Sequence, residues 1–587
     1  MMQTYNQQLI TKTKYNFAFK DLILIAIILG IFIVVVKGVS QMRLPIGVIE
    51  NLVISTSPTD LPQYAMRTTL RMFCAMIFTL IFAIGYGVIA AKNQTAEKIL
   101  IPLLDVFQSV PVLGYLSFTV TAFLALFPGS SMGLECAAIF AVFTNQVPNV
   151  TFSFYQSLKT IPEDLHETCA VFRVSSFKRF FILEFPFAIP GLIWNGMMSM
   201  SGSWFLLVAT ETITVKQNVV MLPGVGSYIA QAINQRNLPA MGYAILCMLL
   251  VIFLYDFLFF RPLLAWSYKF HPAVNENTPI TKSFIFDLLC HSKISKIFIK
   301  FLKQTAKLAN NVTSFLFIYM HCYFSISNHL LKLYDNITLL TKFKSLWQVL
   351  FLVCIIYGVS LSLIHIHSTI SWVEFFTVIK LGFYTLLRVV VMITLSALVW
   401  VPIGVYIGLR PELAKKIEPI AQFLAAFPAN LVFPLAVILI IRYHLNANIW
   451  LSPLMILGTQ WYILFNVIAG TNAFSVDLLH ASNMLHIKGK LWWQKVILPG
   501  ILPYIVTGGI TAAGGAWNAS IIAEVVSWGH YHIAAQGLGA YITQATLSSD
   551  LPRVAIGIGI MSLYVITLNN LVWRPLYNFA AEKAKLE

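Results

Sequence analysis

Pro186, Pro190, Trp204, Glu211, Gly224, Gly226, Tyr228, Gln231, Leu238, Pro239, Arg261 and Pro262 form a ladder that returns later in the chain. In the same order and spacing it reads Pro499, Pro503, Trp517, Glu524, Gly537, Gly539, Tyr541, Gln544, Leu551, Pro552, Arg574 and Pro575. The offset is 313 residues at every rung, and no gap is needed across 77 positions. Several rungs are glycine, proline or tryptophan, residues with special backbone or packing roles, and their agreement in one register marks an internal duplication. The chain is two similar halves joined head to tail.

Composition sets the solvent for those halves. Of 587 residues, 58% are hydrophobic and only 11% charged, with a mean hydropathy of +0.78. Soluble domains carry about a quarter charged residues, so the expected fold is an all-α polytopic membrane protein. Apolar runs long enough to cross about 30 Å of hydrocarbon lie near 20–37, 66–91, 101–127, 131–149, 187–209 and 240–260. A second set lies near 346–364, 381–409, 417–441, 449–468, 500–522 and 553–573. The two sets of six divide the chain into a first membrane domain at 1–265, a linker at 266–345 and a second membrane domain at 346–587.

The first span follows Lys12, Lys14 and Lys20 without a prompt small-residue cleavage site, and so reads as a membrane span rather than a signal peptide. Basic residues favour one side of the bilayer: Lys92, Lys98, Lys159, Arg173, Lys178, Arg179, Arg261, Arg410, Lys488, Lys490 and Arg574 share the side of the termini. Lys37, Arg43, Lys216, Arg236 and Arg442 fall opposite. By the positive-inside rule both termini are expected in the cytoplasm of a cell with an inner membrane. This bias and anionic lipid account for the net charge of +16 without nucleic acid as a partner.

The seven cysteines stand singly, without a CxxC pair, and read as small apolar residues. In the linker, Lys293, Lys296, Lys300, Lys303 and Lys307 recur at helical steps opposite Ile294, Ile297, Phe298, Phe301 and Leu302. Such a helix suits either the inner leaflet or the surface of the neighbouring loops.

The segments between the fourth and fifth spans are the informative loops. The first reads Glu163-Asp164-Leu165-His166-Glu167-Thr168-Cys169-Ala170, continues to Arg173 and ends at Leu183-Glu184-Phe185-Pro186. The second runs from Asp477 through His480-Ala481-Ser482, His486 and Gly489 to Val496-Ile497-Leu498-Pro499. Both resemble the EAA signature of binding-protein-dependent ABC importer permeases, E-A-A-x3-G-x9-I-x-L-P. Glu167 and His480 each precede the closing proline by 19 residues. They depart from it where Thr168-Cys169 replaces Ala-Ala, where Arg173 and His486 take the glycine position, and where His480 replaces the glutamate. The resemblance implies a lever that docks in a groove on a separate motor, with the second loop lacking the usual carboxylate.

Trp204 to Glu211 and Trp517 to Glu524, each followed by Gly-x-Gly, are similar to nitrate/sulfonate/taurine-type permeases. That resemblance implies two tandem six-helix type I importer domains and a small anion, nitrate-, sulfonate- or bicarbonate-like, as cargo. It also implies two ATP-binding cassette subunits and an extracytoplasmic solute-binding protein as partners. The lipid bilayer is the remaining partner. No cofactor is expected, ATP-Mg being bound by the partner subunits only, and no metal.

Candidate pathway or gate residues are Glu211, Glu524, Gln231, Gln544, Trp204 and Trp517. A carboxylate near the membrane must be paired or wet. Glu211 and Glu524 therefore read either as caps fixing an outer loop or as gate contacts with Arg236, Arg67 or Arg71. Two bare carboxylates would repel an incoming anion, which argues against direct binding. Arg71 and Arg388, at matching places, read first as side chains snorkelling to the interface, ahead of attracting an anion or holding the outer loops. His365, His367, His530 and His532 form two H-x-H pairs, without a spaced carboxylate or cysteine to complete a metal site.

No G-x-x-x-x-G-K-[ST] occurs, so the phosphates of ATP have no P-loop here. No H-E-x-x-H occurs either, and the chain reads as a transport subunit rather than an enzyme. The alternative is a secondary transporter of the major facilitator type, also six plus six spans. It would place a basic, glycine-containing loop between spans two and three, where the sequence has only Lys92 to Glu97.

Overall fold

A computed structural model describes residues 30, 54–215, 218–270, 283–291, 370–472, 474, 476–529 and 531–585. The chain divides into two compact units, residues 1–34 with 282–369 and residues 35–281 with 370–587. In the first, the described part is chiefly a short helix, Phe284–His291. The spans expected at 20–37 and 346–364 and the basic linker stripe lie outside the described residues. The second unit contains both copies of the ladder.

In the first half the helices are α1 (Leu61–Lys92), α2 (Gln94–Ser109), α3 (Val112–Leu126), α4 (Met132–Lys159), α5 (Glu163–Val171) and α6 (Ser176–Thr210). They are followed by α7 (Val225–Asn234) and α8 (Leu238–Ser267). The second half has α9 (Trp372–Gly408), α10 (Pro411–Ala426), α11 (Phe433–Arg442), α12 (Ala447–Ile456) and α13 (Trp461–Asn472). It ends with α14 (Val476–Met484), α15 (Gly489–Ala523), α16 (Leu538–Leu547) and α17 (Leu551–Ala580). Among the described residues, six helices are long and apolar enough to cross a membrane, and eight if each bent pair counts as one span.

The third expected span of each half is broken where the sequence reading made it continuous. Residues 101–127 divide into α2 and α3 at Val110-Pro111, and residues 417–441 divide into α10 and α11, bent by 71° around Phe427-Pro428. Proline lacks an N–H and clashes with a helical predecessor. Val110 and Phe427 accordingly take extended backbone, with ψ of 121° and 126°. These two breaks lie 317 positions apart, as do Thr68 with Thr385 and Arg71 with Arg388. The fourth span is continuous in α4 but bent by 44° between α12 and α13.

The all-helical expectation holds apart from two antiparallel hairpins. β1 (Thr212–Val215) pairs with β2 (Asn218–Met221), and β3 (Val525–Trp528) with β4 (Tyr531–Ala534). Each springs from the end of the fifth-span helix, just after Glu211 or Glu524. Single π-turns interrupt the long helices at equivalent places, Phe180–Glu184 with Trp493–Ile497 and Asp256–Phe260 with Asn569–Trp573. The ladder tryptophans, Trp204 and Trp517, are among the largest fully buried side chains and hold the core around α6 and α15.

Candidate functional site

Glu211 ends α6 in a closed polar knot. Its Oε1 accepts from Arg71 at 2.6 Å and from Thr68 at 2.6 Å, and its Oε2 accepts from the Gly226 N–H at 2.6 Å. Arg71 also grips Glu135 through Nε at 2.5 Å and Nη2 at 2.8 Å, and donates to the Pro223 carbonyl at 3.0 Å. Arg71 and Glu211 are wholly buried. Arg67, one turn earlier on α1, is buried and faces Arg71 and Glu135 electrostatically.

The second half repeats the knot with fewer charges. Glu524 accepts from Arg388 at 2.9 Å, from Thr385 at 2.8 Å and from the Ala540 N–H at 3.0 Å. Arg388 donates to the Gln536 carbonyl at 2.9 Å, at the position equivalent to Pro223. Where the first half has Glu135, the second has Asn448, whose side chain and carbonyl accept from Arg388 at 3.2 Å each. Tyr384 stands in the place of Arg67.

This arrangement corrects the reading of Arg71 and Arg388 as snorkelling side chains. Each turns inward because a buried carboxylate must be paired, and the matching arginine on α1 or α9 is within reach. The glutamates do hold their loops, as a cap would, since Glu211 O accepts from Leu222 N at 2.9 Å and Glu524 O from Ala535 N at 2.8 Å. The Gly-x-Gly rung acquires a reason here: a Cβ on Gly224 or Gly537 would overlap the adjacent glutamate carboxyl. Arg236 instead lies over the Tyr531 ring at 5.2 Å.

Two larger cavities lie between the halves, beside a smaller one lined by Ser201, Trp204, Gln422 and their neighbours. One of the larger two is lined by α6 and α15, by α4 and the α12–α13 bend, and by the two proline breaks. Gln108, Asn145, Asn149, Ser199, Thr459 and Tyr462 are among its polar lining residues, and among the described side chains no acidic, basic or histidine one lines it. The other is mostly apolar and is lined by α7 and α16 together with Leu113, Leu116, Leu431 and Phe433. The breaks border both: Val112 and Ala429 face the first cavity, Leu113 and Asn430 the second. Asn518 of α15 crosses between the halves to accept from the Val112 N–H at 2.7 Å.

None of the six residues expected for a pathway lines either of the two larger cavities, and Trp204 borders the smaller one. Trp204 and Trp517 are core residues, Glu211 and Glu524 are bound within their own halves, Gln231 is half-buried and Gln544 exposed. The cavity-lining serine, threonine and asparagine side chains escaped sequence reading because small polar residues are common in packed membrane helices. Their offset-matched partners are often different residues, such as Asn149 against Tyr462.

The loops carrying the EAA-like pattern form α5 and α14, which occupy equivalent positions of the repeat. Glu163 and Asp164 open α5, where negative charge suits the helix N-terminus. Glu163, Asp164, Glu167 and Arg173 are exposed, as are His480, Ala481, His486 and Gly489, while Pro186 and Pro499 are half-buried at the entry to the next span. Asp477 lies in α14. Arg173 and His486, at the glycine position of the pattern, have φ of 51° and 50°. This is the left-handed conformation glycine adopts most readily. Val174 N donates to Cys169 O at 2.9 Å and Ile487 N to Ser482 O at 3.0 Å, closing the same C-terminal motif on both helices. The turn geometry therefore survives the loss of glycine.

Immediately before each turn stand two bulky apolar residues in the open. Val171 and Phe172 are 79% and 75% exposed, and Met484 and Leu485 are 83% and 72% exposed. Behind the first loop, Glu184 is buried and paired with Lys92 at 2.7 Å and Arg179 at 3.0 Å. The equivalent Ile497 is buried without charge.

Residues 83–261 and again 400–574 match the family described as binding-protein-dependent transport system inner membrane component. Over 166 residues the chain is 31% identical to the bicarbonate transport system permease protein CmpB of Synechocystis sp., covering 28% of this chain and 56% of that protein. It is 27% identical over 188 residues to the nitrate import permease protein NrtB of Leptolyngbya laminosa, covering 32% and 64%. A probable ABC transporter permease protein of Brucella melitensis is 30% identical over 189 residues, covering 31% and 72%. In the first two, less than two thirds of the relative's own length is covered. The two family matches together take in more than half of the chain and set aside the major-facilitator alternative. The chain belongs to the inner membrane components of binding-protein-dependent transport systems, and it carries that module twice.

Proposed function

We propose that residues 1–265 and 346–587 are the two permease halves of an ATP-driven importer, joined by residues 266–345, and that together they form the path of a small anion. The observation that carries this reading is the pair of cavities between the halves, bounded by proline breaks at equivalent positions. Discontinuous membrane helices are tolerated where they border protein-lined space, and such helices commonly flank transport sites. The named cargo of the similar proteins, bicarbonate in one and nitrate in another, supports an anion.

In this reading α5 and α14 dock on two separate ATP-binding subunits in the cytoplasm, and a solute-binding protein delivers cargo at the opposite face. Val171-Phe172 and Met484-Leu485 supply the docking contacts, because large apolar side chains left open in pairs mark interaction surfaces. Glu167 and His480 give the two contacts different charge, so the motors are gripped unequally. ATP-Mg binds the partners only.

The test is co-purification. The tagged chain should recover a separate ATPase and show no hydrolysis alone. Phe172→Asp with Leu485→Asp should abolish recovery while the chain stays monodisperse in detergent. Unchanged recovery from the double variant would remove the coupling role from these loops.

A further inference from the structure

The cavity between α6 and α15 contains hydrogen-bonding groups without protein partners. Ser199 is 3% exposed, and its buried hydroxyl makes no hydrogen bond among the described residues. Thr459 Oγ1, contributed by the other half, is likewise buried and unpartnered among them. Asn149 and Tyr462 line the same space without a side-chain partner among the described residues. Buried polar atoms are nearly always satisfied in folded proteins, so two such orphans around one cavity, Ser199 and Thr459, point to a ligand that supplies the missing bonds. Two of these groups come from each half, so the site exists only when the halves are packed together.

The lining also limits the charge of that ligand. Among the described residues it offers hydroxyl and amide donors and no ionised group. The cost of taking an ion out of water rises with the square of its charge. Neutral donors can offset this for a single negative charge spread over several oxygens. A dianion would need a fixed counter-charge, which the described lining does not supply.

We propose that this cavity is a substrate subsite within the permease itself. It binds a singly charged oxyanion through Ser199, Thr459, Asn149 and Tyr462, and it rejects dianions for want of a positive side chain. The sign of the charge rests on the importer reading above; the limit to one charge rests on the lining.

The test uses the full chain in detergent, with equilibrium dialysis against sodium nitrate and sodium sulfate at constant ionic strength. Nitrate should bind at millimolar concentration and sulfate should not displace it. Ser199→Ala with Thr459→Val should weaken nitrate binding at least tenfold. Tyr462→Phe, which removes one hydroxyl and keeps the ring, should weaken it by a smaller factor. Asn149→Lys should confer sulfate binding. Equal binding of sulfate by the unaltered chain, no nitrate binding, or unchanged affinity in Ser199→Ala/Thr459→Val and Tyr462→Phe would overturn the subsite.

ATP-driven uptake by the complex in liposomes separates the two readings. Uptake of nitrate without binding to the permease removes the subsite and keeps the importer. Binding without ATP-driven uptake of any anion keeps the subsite and removes the importer.

Discussion

Glu135 and Asn448 stand 313 residues apart at equivalent points of the repeat, and each receives the arginine of its own half. Arg71 reaches Glu135 at 2.5 Å, whereas Arg388 reaches Asn448 at 3.2 Å. The first knot joins Arg67, Arg71, Glu135 and Glu211, and the second joins Arg388 and Glu524 with Tyr384 and Asn448 in the remaining places. The number of charges differs, yet each set contains as many positive as negative groups. Neutrality has been kept while the charges themselves have been halved.

The arginines should therefore differ in weight. Removing one member of a buried ion pair costs about 3–5 kcal/mol, because the partner is left uncompensated. Arg71→Ala strands two carboxylates and should lose stability in that range. Arg388 is 11% exposed and serves one carboxylate, so Arg388→Ala should lose less. Thermal unfolding of the detergent-solubilised chain, followed by fluorescence-detected gel filtration, measures the order.

The balance itself can be tested by converting one knot into the other. Glu135→Asn leaves the first knot with two arginines and one glutamate, and should lower the unfolding temperature. Adding Arg67→Tyr restores neutrality and reproduces the composition of the second knot. The double variant should unfold closer to the native chain than Glu135→Asn does. If it unfolds at a lower temperature than the single variant, charge balance is not what links these positions.

Arg173→Gly and His486→Gly should be tolerated by the fold. A side chain in the left-handed region costs up to about 1–2 kcal/mol, which glycine avoids, though glycine gives back part of this through a freer unfolded chain. The net effect should be between zero and about 1 kcal/mol of added stability. Arg173→Val, with a branched Cβ at the same φ, should destabilise. Unfolding temperatures of the three variants check the sign.

Glu184 should matter to the first loop alone. Its buried carboxylate ties Lys92, at the end of α1, to Arg179 behind α5, so Glu184→Ala leaves Lys92 and Arg179 without their partner. The expected result is reduced coupling of ATP turnover to uptake in the assembled complex. Ile497→Ala, at the equivalent place, creates a cavity instead and should cost about 2–5 kcal/mol of stability. Proteolysis confined to residues 163–185 in Glu184→Ala would mark the local effect.

At the start of α2, Lys159 and then Tyr155 hold the Glu97 carboxyl below its ordinary range. A carboxyl depressed in the folded state adds stability above its unfolded pKa, about 4.3, and that contribution disappears as pH falls through the folded value. Glu97→Gln should therefore remove a small acid-side dependence. The pair is exposed, so the difference should shrink with added salt. Unfolding temperatures from acid to neutral pH at two salt concentrations measure it.

The positions of α5 and α14 were readable because their signal is local. A fixed distance from Glu167 or His480 to a closing proline survives in one dimension, and so does an apolar run. The turn at Arg173 and His486 was legible as a glycine position occupied by something else. The breaks at Val110-Pro111 and Phe427-Pro428 were also written in the sequence, as prolines inside or beside apolar runs. They were read through because proline is common in membrane helices, where neighbouring groups can satisfy the freed backbone.

The knots and the cavity were not readable in that way. Arg71 meets Glu211 from 140 positions away and Glu135 from 64. Which of several arginines turns inward depends on which helix faces are packed together. Ser199 and Thr459 share a cavity only because α6 of one half lies against the α12–α13 bend of the other. Spacing and composition alone determined the duplication, the membrane class and the two loops, since each depends on residues near one another in sequence or on chain averages. Tertiary structure decided which charges are neutralised and which polar groups are left open, because both are settled by contacts between helices distant in the chain.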